Sequence, residues 1–231
     1  METPESLRDG RLSVVLPAYN EEESVPLAAD VIGNLLTRAG IDHELIFVND
    51  GSRDHTWRAI QEAAARRPQV RGIRFSRNFG KEAAIFAGLA QARGDCCVVL
   101  DCDLQHPPEK ILEMYSLWQQ GWQVVEGIKV SRGKESPLHT LAAKTFYRFL
   151  SGATRLDMSH ASDFKLLDRR AVDVLVAMRE KNAFFRALSS WIGFDTTQVE
   201  FEVQPRAAGQ SKWSLRSLTR YAVTNLAAFS T

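Results

Sequence analysis

The sequence predicts one α/β domain: a mostly parallel central sheet with helices on both faces. Apolar, β-branched runs alternate with amphipathic stretches of helical length, which is the pattern of a doubly wound sheet. No repeat, linker or low-complexity tract divides the chain. Its 231 residues are enough to bury roughly 70% of the unfolded surface around one core. With 45% hydrophobic and 25% charged residues, the composition excludes disordered, collagen-like and disulfide-scaffold classes.

The elements follow in order. Leu12 to Leu16, Glu44 to Val48, Val70 to Phe75, Cys96 to Leu100 and Gln123 to Glu126 are strand candidates. Between them Glu21 to Ala39, Asp54 to Arg66, Lys81 to Ala92 and Pro108 to Gln120 have helical length, most of them closed by a Gly or Pro signal. After Gly127 the alternation breaks. A polar stretch, Lys129 to Ser136, precedes an amphipathic helix around Leu138, Leu141, Thr145 and Phe149. Arg169 to Met178 and Phe184 to Ile192 read as helices, Val199 to Val203 as a strand and Pro205 to Gln210 as a loop. The expected organisation is a polar tail over 1–10, a domain over 11–212 and a basic amphipathic helix over 213–231.

Net charge is +1, from 29 basic and 28 acidic residues, which argues against a nucleic-acid binder. The distribution is uneven: Val203 to Thr231 holds Arg206, Lys212, Arg216 and Arg220 and no acid. Cys96, Cys97 and Cys102 lie in an apolar run without metal-ligand spacing and read as reduced core thiols. Residues 1–10 are polar and no apolar stretch is long enough to span a bilayer, so no signal peptide or transmembrane helix is expected in this sequence.

Chemistry gathers at the strand ends. Pro17 to Glu21, Asn49 to Ser52, Ser76 to Lys81 and Asp101 to Gln105 each follow a strand, and in a parallel sheet such ends share one crevice. Neither a dinucleotide-binding nor a P-loop glycine pattern occurs, so phosphates must be held otherwise. Asp101, Asp103 and Gln105 alternate, and an extended chain would point all three oxygens into the crevice. Hard oxygen ligands suit Mg²⁺ or Mn²⁺ bridged to a diphosphate. A lone Asp-x-Asp is as readily a charged turn or a helix cap; the four convergent clusters favour the metal. His106, followed by two prolines, reads as a loop residue rather than a ligand.

Asp50, at a tight turn before Gly51, could accept hydrogen bonds from a base or ribose if Ser52 or Asp54 caps the next helix. Arg77 and Lys81 either face a ligand or are solvated surface cations. Arg206, Ser211 and Lys212 surround Gly209 in a loop able to close over a diphosphate, with a basic helix face as the plain alternative for Lys212. Beyond it, the apolar stripe Leu215, Leu218, Ala222, Leu226 and Phe229 lies beside Lys212, Arg216 and Arg220. That pairing suits an anionic membrane surface, and equally a helix docked on its own core.

Six motifs in order carry a resemblance: Leu16 to Glu21, Val48 to Ser52, Arg77 to Lys81, Asp101 to Glu109, Ser162 to Phe164 and Gly209 to Lys212. From Arg11 to Thr231 the chain resembles the family 2 glycosyltransferases acting on polyprenyl phosphates. It is most similar to the bacterial bactoprenol glucosyl transferases and more distantly to dolichol-phosphate mannose synthase. The resemblance implies the type A (GT-A, Rossmann-like) nucleotide-sugar fold, with Pro17, Tyr19, Glu21, Asp50, Arg77 and Lys81 on the nucleotide sugar. It places Asp101, Asp103 and Gln105 around Mg²⁺ or Mn²⁺, and Arg206, Ser211 and Lys212 over the diphosphate. Lys129, Arg132 and Lys134 are its candidates for the acceptor phosphate, in a stretch that is commonly richer in Arg. Cys102 stands where Ala or Val is common and is expected to point away from the metal. Because the family continues into membrane helices, the chain is expected to be a truncated portion working at the cytoplasmic face of the membrane.

The implied reaction moves a hexose, with glucose from UDP-glucose as the first choice, onto undecaprenyl phosphate with inversion. UDP-N-acetylglucosamine and GDP-mannose are the alternative donors, and the sequence leaves homo-oligomerisation open. Lys212 and Asp103 serve the departing nucleotide, and Asp163 matches the family's proposed base. An acceptor phosphate with a second pKa of about 6 is already mostly dianionic at neutral pH, so Asp163 is expected to orient rather than deprotonate. Two rivals from other classes are a nucleotidyltransferase and a non-catalytic membrane-surface module.

Overall fold

The computed structural model describes residues 8–130, 162–178 and 184–206. Seven strands form one sheet: β1 (Leu12–Ala18), β2 (His43–Asn49), β3 (Val70–Arg74), β4 (Cys96–Val99), β5 (Val124–Lys129), β6 (Lys165–Asp168) and β7 (Thr196–Phe201), in the order β3-β2-β1-β4-β6-β5-β7. The helices are α1 (Ser24–Arg38), α2 (Thr56–Arg66), α3 (Lys81–Gln91), α4 (Glu109–Gln119), α5 (Arg169–Ala177) and α6 (Phe185–Trp191). β1 pairs in parallel with β2 and β4, β2 with β3, and β5 with β7, whereas β6 runs antiparallel to both β4 and β5.

Side-chain alternation along the strands builds two cores. Leu12, Val14 and Leu16 pack with Leu45 and Phe47 against α1, α2 and α4. Val15, Ile46, Val48, Cys97 and Val99 face α3, α5 and α6 on the other side. The expected layers are therefore present, with helices on both faces. All three cysteines are free and buried, and burial pushes the Cys97 thiol up to about 12 against the opposing pull of Arg169. Cys102 packs in the core beside Leu100 and Leu104. Among the described residues no helix is long and apolar enough to cross a membrane.

Three expectations need correction. β6 was not expected: four residues with a lysine at one end and an aspartate at the other carry too weak a strand signal. The last strand is Thr196–Phe201 rather than Val199 to Val203, because its register is set by β5. The first helix starts at Ser24 rather than Glu21: Asn20 turns through φ 54° and the Glu21 carbonyl accepts the Ser24 and Val25 amides at the head of the helix. The expected helix around residues 138–149 and the one over 213–231 lie outside the described residues.

Candidate active site

The antiparallel strand brings the site together. Val99 of β4 pairs with Lys165, so Asp163, just before β6, lies at the carboxyl end of β4. Glu126 of β5 pairs with the same Lys165, and Lys129 pairs with Phe201 at the end of β7. The carboxyl ends of β1 to β5 and β7 thus share one edge with the start of β6. Glu21, Asp50, Lys81, Asp101, Asp103, Asp163 and Arg206 all enter from that edge.

Two chains of alternating charge cross it. In the first, Lys81 Nζ lies 2.6 Å from Asp101 Oδ1 and 2.7 Å from Asp163 Oδ2. Asp163, only 2% exposed, is also gripped by Arg186, with Nε 2.7 Å from Oδ1 and Nη2 2.9 Å from Oδ2. In the second, Arg206 places Nη2 3.0 Å from Asp103 Oδ2 and Nη1 3.3 Å from Glu21 Oε1. Lys81 is therefore a half-buried bridge between carboxylates, not a solvated surface cation.

Asp101 and Asp103 are delivered by a turn. The expectation of an extended Asp101 to Gln105 is corrected: β4 ends at Val99, and Leu104 adopts φ 59°. A branched side chain in the left-handed region costs of order 1 kcal/mol, and the turn persists because Leu104 packs in the core and Asp103 Oδ1 accepts the Gln105 amide at 3.1 Å. Gln105 faces the segment after β7: its carbonyl accepts the Gln204 amide at 2.9 Å, and its Nε2 lies 3.4 Å from the Gln204 carbonyl. His106 stacks on Phe164 at 5.0 Å and meets Phe201 edge-on at 5.3 Å. Its Nδ1 is buried without a hydrogen-bond partner.

Asp50 is not left free by the caps. Asp54 accepts the Thr56 amide at the head of α2, and Ser52 Oγ accepts the Asn20 amide. The Asp50 carboxylate accepts the Phe79 and Gly80 amides at 2.7 and 3.0 Å and the Asn78 side-chain amide at 2.8 Å. It ties the end of β2 to the loop before α3. Gly51, at φ 63°, permits that approach, since a Cβ there would lie 2.2 Å from the Arg77 carbonyl carbon. Arg77 lies 4.8 Å over the Phe79 ring, Tyr19 is exposed, and Pro17 sits within β1. Lys129 is exposed at the end of β5. Arg132, Lys134, Ser211 and Lys212 lie outside the described residues.

The charges tune one another. Burial alone would raise Asp163 and Asp101, but Lys81, joined by Arg186 at Asp163, holds both below the usual carboxylate value. Burial would lower Lys81, and Asp101 and Asp163 overcome it and raise it. Asp103 is pushed up by burial and by the Asp101 charge despite Arg206. Burial likewise raises Asp50 against its amide hydrogen bonds, and lowers His106.

Among the described residues no three His, Cys, Asp or Glu side chains are grouped so as to hold a metal ion. What the edge offers is two carboxylates, one third-exposed at Asp101, each now neutralised by a cation. That donor set fits Mg²⁺ or Mn²⁺ bound with few protein ligands, the remaining positions falling to phosphate oxygens and water. Sequence reasoning missed Arg186, which sits on a short helix far from any motif and is given away only by its place opposite Asp163.

The comparisons agree with the fold. The glycosyl transferase family 2 model matches residues 13–175. An uncharacterized glycosyltransferase, YkcC, of Bacillus subtilis is 39% identical over 94% of this chain and 68% of its own length. A prophage bactoprenol glucosyl transferase homolog of Escherichia coli is 34% identical over 96% of this chain and 72% of its own length. Among solved structures, glucosyl-3-phosphoglycerate synthase from Mycobacterium tuberculosis, crystallised with Mn²⁺, UDP-glucose and phosphoglyceric acid, superposes with a TM-score of 0.63. It shares 20% identity over 95% of this chain and 79% of its own, a likeness of fold. A nucleotidyltransferase and a bare membrane-surface module are set aside: the chain belongs to glycosyl transferase family 2.

Proposed function

We propose that this protein transfers glucose from UDP-glucose to undecaprenyl phosphate at the cytoplasmic face of the membrane, inverting the anomeric carbon. The observation that carries the reading is the meeting of Asp101, Asp103, Lys81 and Arg206 on one strand-end edge. Relatives 34% identical that are named bactoprenol glucosyl transferases support the lipid acceptor and the sugar.

Asp101 and Asp103 would hold Mg²⁺ or Mn²⁺ through oxygen atoms, and such an ion neutralises charge that develops on a departing diphosphate. Arg206 is placed to exchange carboxylate for diphosphate, with Ser211 and Lys212 following it in sequence. Pro17, Tyr19, Glu21, Asp50 and Arg77 are assigned to the nucleotide side, Asp50 through the loop that its carboxylate holds. In the transfer an oxygen of the acceptor phosphate attacks the anomeric carbon from the face opposite UDP. The bond to the diphosphate oxygen breaks, and UDP leaves with the electron pair. No proton need be removed, because the acceptor is a dianion. Asp163, clamped between Lys81 and Arg186, is a poor base and serves as an anchor that holds Lys81 beside Asp101. Lys129, Arg132 and Lys134 are assigned to the acceptor phosphate, and the basic helix after Lys212 to the anionic membrane surface.

The test supplies the protein with Mn²⁺, vesicles containing undecaprenyl phosphate, and UDP-glucose, UDP-N-acetylglucosamine or GDP-mannose in parallel. Glucosyl-phosphoryl-undecaprenol formed from UDP-glucose, with inverted anomeric configuration, is expected. Product from another donor alone, or retained configuration, would overturn the assignment.

A further inference from the structure

Lys165 is fully buried and meets Glu126, and none of the chemistry above uses it. Its ammonium lies 2.5 Å from Glu126 Oε1 on β5, 2.8 Å from Ser189 Oγ, 3.0 Å from Ser190 Oγ and 3.3 Å from the Arg186 carbonyl. The Ser189 and Ser190 hydroxyls each lie 3.2 Å from that same carbonyl, and Ser190 Oγ is 2.9 Å from Glu126 Oε1. Three polar groups therefore converge on the backbone of one residue, Arg186. That residue's guanidinium makes the two-pronged contact with Asp163. The head of α6 is held separately, by the Phe185 amide donating to Glu82 Oε2 at 2.8 Å, next to Lys81 on α3.

A buried ion pair is seldom retained for stability, since a well-packed apolar pair of similar volume does as well or better. Here Leu167 on the same strand and Phe185 and Leu188 on the same helix belong to an apolar core, where an apolar pair could join them. What an apolar pair could not do is fix the rotation and height of a seven-residue helix. The bidentate geometry at Asp163 requires that fixity, because two parallel N–H···O contacts tolerate little displacement.

We propose that Lys165, with Glu126, Ser189 and Ser190, is a positioning residue for the transfer reaction. It fixes the Arg186 backbone so that Arg186 orients Asp163, and through it Lys81 beside Asp101. The role in catalysis rests on the proposed glycosyl transfer.

The informative variant is Ser189→Ala/Ser190→Ala, which leaves the Lys165–Glu126 pair intact and strands no charge. Exchange of the Arg186 Nε–H with solvent, followed by NMR, is expected to be slow in the wild type and at least tenfold faster in this variant. UDP affinity in Mn²⁺ should stay within twofold while kcat for lipid glucosylation falls about tenfold. In an Arg186→Ala background the two serine substitutions should cause no further loss of kcat, because they act through Arg186. Lys165→Met/Glu126→Gln should follow the same pattern with a melting temperature near that of the wild type. An unchanged exchange rate, a parallel loss of UDP binding, or additive losses in the Arg186→Ala background would overturn the proposal. A wild type that binds no UDP or makes no lipid product overturns the transfer reading instead, and the exchange measurement still decides the positioning.

Discussion

Arg206 Nη2 and Asp103 Oδ2 stand 3.0 Å apart, so a cation from the segment after β7 neutralises a carboxylate from the turn after β4. Asp103 is buried and lies near Asp101, whose charge raises it, and Arg206 offsets part of that cost. A divalent ion would compete with Arg206 for the same oxygen, and a diphosphate would give Arg206 somewhere to go. Metal and nucleotide are therefore expected to bind cooperatively.

Replacing Arg206→Gln should split the two affinities. Mn²⁺ binding without nucleotide, read by electron paramagnetic resonance, should tighten about fivefold, equivalent to about 1 kcal/mol for a partly exposed charged contact. UDP binding in saturating Mn²⁺ should weaken. Equal weakening of both would show that Arg206 supports the metal site rather than competing with it.

Asp163→Asn and Asp103→Asn should differ in severity. Asp163 is held ionised by Lys81 and Arg186 and removes no proton from a dianionic acceptor, so Asn, similar in shape but with one accepting oxygen in place of two, weakens the anchor without removing a reacting group, and turnover falls roughly tenfold. Asp103→Asn takes away a metal ligand, and a loss of roughly a hundredfold or more is expected. Steady-state rates at saturating donor would distinguish them, and complete loss in both would count against the anchoring role.

Lys81→Met should expose the electrostatics through pH. In the wild type Asp163 lies below its ordinary value of 3.8, so its stabilising contribution is complete above that value and is lost as pH falls beneath it. Without Lys81 the burial that opposes ionisation of Asp101 loses its main counterweight, so its carboxyl is expected to move up and its protonation to relieve the variant as pH falls. The loss, about 2 kcal/mol near neutrality for a broken half-buried pair, should shrink between pH 7 and pH 4 in thermal melts. A gap that stays constant over this range would refute the ion-pair chain.

Gly51→Ala should destabilise the protein by roughly 1–3 kcal/mol, from left-handed backbone strain together with collision against the Arg77 backbone. UDP affinity should fall with it, because Asp50 and the Arg77 loop move apart. Denaturant melts and UDP titration would register the two effects, and near-wild-type values in both would show that the loop is not held as described.

Much of the frame was legible because Leu12 to Leu16, Glu44 to Val48 and Cys96 to Val99 lie in strands buried on both faces, which leave largely apolar runs between turn signals. The polar residues after them were visible for the same reason, since a strand end must hand its chain to a turn. β6 was illegible: its Lys165 is polar by type and buried by virtue of Glu126, Ser189 and Ser190, partners that only the folded chain supplies. Without β6 the antiparallel pairing that delivers Asp163 cannot be inferred, nor can Arg186. The turn at Asp101 to Gln105 was misread as extended because nothing in its residue types announces the positive φ at Leu104.

The most direct measurement is calorimetric titration of the wild type, Asp101→Asn and Asp103→Asn with UDP, with and without Mn²⁺. UDP should bind the wild type far more tightly when Mn²⁺ is present, and each variant should lose that enhancement while remaining folded. Tight UDP binding that ignores Mn²⁺, or variants that retain the full enhancement, would contradict a divalent ion held between Asp101 and Asp103.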